Sequence, residues 1–174
     1  MRYPSRFILV AGAVVVAGCG DPTSVPSGSP LSLGASLSAS FSPNRNLEII
    51  LRGAGFGHVK FRQPKDDATI IYLDTWVRDL KPNTSYQLQR ATDSEINDVC
   101  TGGTINPADW LTLGQGLIPK VITTDERGTG GEALFRTLPL TLVGAVFDIH
   151  FRVVEQATQA VVLESECYQF EVSL

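Results

Sequence analysis

The chain has 174 residues, with 14 Lys and Arg against 18 Asp and Glu, a net charge of −4 and no basic cluster. That balance excludes a nucleic-acid surface or one that seeks anionic lipid, since both need concentrated positive charge. The length suits one domain with a core of its own.

Arg2 and Arg6 precede an apolar run from Phe7 to Gly18. The run is too short to cross a bilayer as a helix, which takes about 20 residues, and has the length of a signal-peptide core. It ends in Val16-Ala17-Gly18-Cys19, which resembles the bacterial lipoprotein signal: an aliphatic residue, two small ones and a cysteine. The resemblance implies cleavage before Cys19, a diacylglycerol on its sulfur and acyl chains that hold the protein to a membrane. Each buried CH₂ adds roughly 0.8 kcal/mol, so two or three chains anchor where one would not. The plainer alternative is a secretory signal with a chance cysteine. In enterobacterial lipoproteins an aspartate after the cysteine favours the inner membrane; here Gly20 stands there and Asp21 one place further on, so the resemblance implies the outer membrane, with a Gram-positive surface as the alternative. Loss of residues 1–18 removes two arginines and leaves 12 basic against 18 acidic residues, a charge of −6.

If Cys19 carries lipid, Cys100 and Cys167 are the remaining cysteines. An even pair in an oxidising compartment predicts a disulfide; two unpaired buried thiols are the alternative. Such a bridge would contribute roughly 4 kcal/mol on the chain-entropy model.

Residues 19–45 are rich in Ser, Gly and Pro. They read as a flexible tether spanning on the order of 25–30 Å. Residues 46–174 change texture: short runs of Val, Ile, Phe, Tyr and Thr alternate with turn clusters. Strands are predicted at 47–52, 59–63, 68–80, 86–90, 120–124, 132–136, 146–154 and 160–172. Leu73, Thr75 and Val77 share one face of the third, opposite Tyr72, Asp74, Trp76 and Arg78. Gly53-Ala54-Gly55-Phe56-Gly57 precedes a strand rather than a helix, so it reads as a hairpin or bulge and not as a phosphate loop. Asn106 and Pro107 predict one helical turn. Asp125 to Gly131 reads as a hairpin turn joining 120–124 to 132–136. No segment keeps a 3.6-residue period. The expected fold is all-β: an antiparallel sandwich of seven to eight strands, immunoglobulin-like or superoxide dismutase-like.

Leu80-Lys81-Pro82-Asn83-Thr84-Ser85-Tyr86 resembles the tyrosine corner of fibronectin type III domains. This implies a structural Tyr86 whose hydroxyl reaches back to the upstream backbone. The 88 residues that follow Tyr86 are too many for that family's topology. A second resemblance runs over residues 57–170. Gly57-x-Val59-x-Phe61-x-Gln63, Val77-Arg78-Asp79-Leu80-Lys81-Pro82, Cys100-Thr101-x-Gly103-x-x-Asn106-Pro107, Thr123-Thr124-Asp125-Glu126-Arg127-Gly128, Ile149-His150 and Cys167 are similar in order and spacing to copper/zinc superoxide dismutases. That resemblance implies the sandwich fold and places Cys100 and Cys167 at the family's disulfide positions. The chemistry departs from it. Gln87-Leu88-Gln89 stands where the family has His-x-His, and only His150 falls on a ligand position. One imidazole cannot hold a redox copper, which needs several nitrogen ligands.

His58 and His150 are the only histidines, and no metal-ligand spacing surrounds either. Asp148 and His150 share a strand face, as a candidate weak binding or pH-sensitive pair; a hydrogen-bonded structural histidine is the plainer reading. Trp76 is a candidate binding residue because it alternates with the presumed core face. No nucleophile has a partnered base. The sequence thus points to no catalytic residues, no metal and no cofactor. The expectation is a lipid-anchored envelope protein that binds an envelope protein or a glycan. The alternatives are a degenerate metal-dependent oxidoreductase on a dismutase-like scaffold and an accessory subunit of an envelope complex.

Overall fold

The computed structural model describes residues 46–65, 67–103 and 106–174. Cys19 and the expected signal segment and tether lie outside the described residues.

Apolar residues at every second position build the first three strands, β1 (Asn46–Gly53), β2 (Phe56–Arg62) and β3 (Ile70–Arg78), as one antiparallel meander. Leu47, Ile49, Leu51, Val59, Phe61, Ile71, Leu73 and Val77 turn inward and are buried. Glu48, Lys60, Trp76 and Arg78 turn outward, as period-2 geometry requires. The Gly53–Gly57 stretch is the β1–β2 hairpin and runs on into β2.

From β3 the chain crosses to β4 (Ser85–Asp93), whose partner β10 comes late in the sequence. Next are a 3₁₀ turn at Pro107–Asp109 and four two-residue strands: β5 (Leu111–Thr112), β6 (Gly114–Gln115), β7 (Ile118–Pro119) and β8 (Ile122–Thr123). Asn106 caps the turn, its Oδ1 accepting the Ala108 N–H. Then come β9 (Gly130–Thr137), β10 (Val146–Glu155), β11 (Val161–Ser165) and β12 (Tyr168–Glu171). The long strands run in the order β4-β10-β11-β1-β2-β3-β9. The pairing is antiparallel except where β6 joins β9.

The two ends of this order nearly meet. β5 pairs with β4, and the Leu113 N–H donates to the Leu88 carbonyl. Three residues on, the Gly116 N–H donates to the Phe135 carbonyl of β9. Residues 111–116 therefore bridge the seam of an almost closed, barrel-like sandwich. Its interior is filled by residues from both halves, with Phe61 edge-on to Phe151 and Phe170 at 6.2 and 4.7 Å.

The all-β antiparallel expectation holds. Eight of the strands among the described residues have four or more residues, and four are two-residue pairings. Two details differ. The Asp125–Gly131 turn forms, but β8 does not pair with β9; it pairs with β4. The reason is Thr124, buried against the corner before β4. Its hydroxyl donates to the Lys81 carbonyl and accepts the Thr84 N–H. The turn thus carries the chain from one half of the sandwich to the other. Gly128 in that turn has φ +75°, and a Cβ there would lie 2.1 Å from the Leu80 carbonyl oxygen, so only glycine fits. The second difference is the strand expected at 160–172, which is broken into β11 and β12. Ser165 interrupts it: its hydroxyl accepts the Phe151 N–H and donates to the Glu166 carbonyl.

Candidate functional site

Two groups of outward-facing side chains stand on this framework, one closed over by a loop and one open.

The closed group lies on β4 and β10 beneath residues 94–103 and 106–110. Ile149, Phe151 and Val153 of β10 face the core, so Asp148, His150 and Arg152 face the other way. Asp148 is fully buried. Its Oδ2 accepts the N–H groups of Asn97 and Asp98 at 2.9 and 2.8 Å, while Oδ1 has no partner. Asp93, directly opposite on β4, accepts the N–H groups of Thr101 and Gly102. His150 Nε2 donates to the Gly102 carbonyl at 2.8 Å. Trp110 lies across His150 and Arg152, 4.6 Å from the imidazole centroid and 4.0 Å from the guanidinium carbon. Arg152 also donates to Gln89. Burial lowers its pKa, partly offset by Glu164 across the ladder. Gly103 (φ +75°) packs so closely on the indole that a Cβ would sit 2.1 Å from Trp110 Nε1.

The Cys100–Cys167 disulfide, with Cα atoms 5.4 Å apart, ties the same loop to the β11–β12 break. Asp148 and His150 do share a face, but they do not bind each other. Each holds a different part of the loop. Among the described residues no group of three or more His, Cys, Asp or Glu side chains gathers as metal ligands. Tyr86 is buried, and its hydroxyl accepts the Lys81 N–H at 3.1 Å.

The open group lies on the outer face of β1, β2 and β3. Trp76 is 41% exposed. Phe56 meets its ring edge-on at 6.3 Å, and the Arg78 guanidinium lies 4.9 Å from the Phe56 centroid. The strand neighbours of Trp76 are His58 and Gly131. Gly131 has no side chain, so one flank of the indole is uncovered. His58 pairs with Glu48, and Arg62 with Asp74.

The same face continues from His58 to its partner Ile50 on β1. There β11, the neighbour of β1, ends at Ser165, and beside the break is a cavity of about 310 Å³ lined by Ile50, Arg52, Glu164, Ser165, Glu166 and Tyr168. The Tyr168 hydroxyl accepts the N–H of Ile50, one residue beyond the end of the β1–β11 ladder. No protein-family model matches the chain, and no curated protein matches it.

Of the residues singled out in the sequence, Trp76 alone belongs to the open group. Phe56, Arg78, His58 and Glu48 join it through strand register. Their outward alternation was readable, but the pairing that gathers them was not.

Proposed function

We propose that this protein is a lipid-anchored, non-catalytic binding module of the bacterial cell envelope, attached through Cys19. Its Trp76 face takes a linear envelope glycan. The observation that carries the reading is the uncovered indole of Trp76, set among charged side chains. A sugar ring offers an apolar face for stacking and hydroxyls for polar neighbours, and a half-exposed tryptophan beside Arg78, His58, Glu48 and Asp74 matches both. Adjacent strands are about 4.8 Å apart, so the row from Ile50 to Trp76 spans about 10 Å. That length suits a short run of sugars ending in the cavity beside Tyr168. The dismutase-like spacing supports a shared sandwich plan. The engagement of His150 with the Gly102 carbonyl and Trp110 supports a structural rather than a ligating role for it.

Two measurements test the reading. Intact mass of the membrane-extracted protein is expected to show residues 1–18 removed and acyl mass on Cys19. Polysaccharide isolated from bacterial envelopes is expected to sediment the protein, and Trp76→Ala to leave it in solution. An unmodified Cys19 would remove the anchor. Sedimentation of both forms alike would remove the binding face, and crosslinking to a protein through position 76 without glycan binding would reassign that face to a protein partner.

A further inference from the structure

Arg90 on β4 and Arg136 on β9 stand on opposite sides of the bridged seam, and both line the interior. A cavity of about 30 Å³ is lined by both arginines together with Leu113, Phe61 and Phe151. An adjoining cavity of about 70 Å³ shares Arg90, Ile71, Leu138 and Ile149 with it and opens along Leu142, Phe147 and Phe170. Beside it the β9–β10 connection exposes Leu140 (66%) and Val143, and the start of β10 exposes Val146. One end of the sandwich is therefore apolar from rim to wall, with two cations at its base.

Among the described residues neither cation has a counter-ion. Arg90 donates to Thr92 Oγ1 on its own strand, and Arg136 to the Gly116 carbonyl of the seam bridge. Among the described residues the ion pairs involve other side chains. Burial lowers the Arg90 pKa, and the charge of Arg136 lowers it further. Two like charges held together and partly out of water are costly unless something of opposite sign joins them. A guanidinium presents five N–H donors in a plane, and among the described residues each arginine donates one bond. The forked donors match a carboxylate. Pockets in the mouths of β-barrels are mostly apolar with a few polar groups that fix orientation, which is the arrangement here.

We propose that the seam is a binding site for a small apolar carboxylate. Its carboxylate bridges Arg90 and Arg136, and its hydrocarbon lies along Leu138, Leu142, Phe147 and Phe170. The narrow apolar walls favour a singly charged head over hydrated phosphate. This site is on the opposite side of the sheet from Trp76 and is independent of the glycan reading.

The test is an NMR titration of the isotopically labelled protein with hexanoate, hexanol and inorganic phosphate. Hexanoate is expected to shift the Arg90 and Arg136 side-chain signals and the Leu138 and Leu142 methyls saturably. Hexanol and phosphate are expected to bind at least tenfold more weakly. Arg136→Met is expected to weaken hexanoate at least tenfold, and Arg136→Lys to weaken it less. No saturable hexanoate shift, equal binding of hexanol or phosphate, or undiminished binding by Arg136→Met would each overturn the proposal. The comparison of ligands on the unmutated protein decides the matter even if Arg136→Met does not fold.

Discussion

Asp148 on β10 stands directly opposite Asp93 on β4, and each carboxylate receives two backbone N–H groups from the loop that covers them. Two acidic residues placed face to face would ordinarily repel. Here the loop amides take up the charge, and the loop gains its shape from them. Hydrogen bonds to a charged group contribute about 1.5–3 kcal/mol. Asp148→Asn is therefore expected to lower unfolding free energy by about 2 kcal/mol, read from urea midpoints at constant slope. Amide exchange at Asn97 and Asp98 should accelerate in the same variant.

The disulfide holds the same loop from its other side. Opening it should cost about 2–4 kcal/mol and loosen Trp110 from His150 and Arg152. In a Trp76→Phe background Trp110 is the only tryptophan. Its emission is expected to shift to the red on reduction or in Cys100→Ser/Cys167→Ser. Unchanged emission would show the carboxylates and ring stacking to be sufficient alone.

Tyr86 ties the corner before β4. Removing its hydroxyl leaves the Lys81 N–H without that acceptor. Tyr86→Phe is expected to cost about 1 kcal/mol, measured by denaturant unfolding.

The crossing turn carries an acid-sensitive contribution. The N–H groups of Thr129 and then Arg127 hold the Asp125 carboxyl below the ordinary aspartate range. A folded-state pKa below the unfolded one stabilises fully above the unfolded value, and the gain fades as pH falls through the folded value. The midpoint difference between the wild type and Asp125→Ala should be largest near neutrality and shrink in acid. A constant difference from neutral pH to pH 2 would assign the effect to something other than ionisation.

Much of the sandwich was legible because period-2 alternation reports burial directly. Leu73, Thr75 and Val77 inside and Trp76 outside needed only the sequence. Cysteine parity pointed to the Cys100–Cys167 bridge. What alternation cannot encode is which strand lies beside which. β8 looked like half of a hairpin because a turn precedes β9, yet buried Thr124 commits it to the Tyr86 corner. The break at Ser165 was hidden for a similar reason: one hydroxyl substitutes for a ladder partner. Nothing in the sequence sets Arg90 and Arg136 apart; only the seam brings them to one cavity.

The open face around Trp76 should tolerate change in the fold and not in the function. Its outward position makes the stability cost of Trp76→Ala small, about 0.5 kcal/mol. The most direct test is tryptophan fluorescence during titration with purified oligosaccharides from the bacterial envelope. The account predicts saturable quenching or a blue shift in the wild type, both lost in Trp76→Ala although its unfolding midpoint falls only slightly. No spectral response in the wild type, or equal affinity in the variant measured by calorimetry, would contradict it.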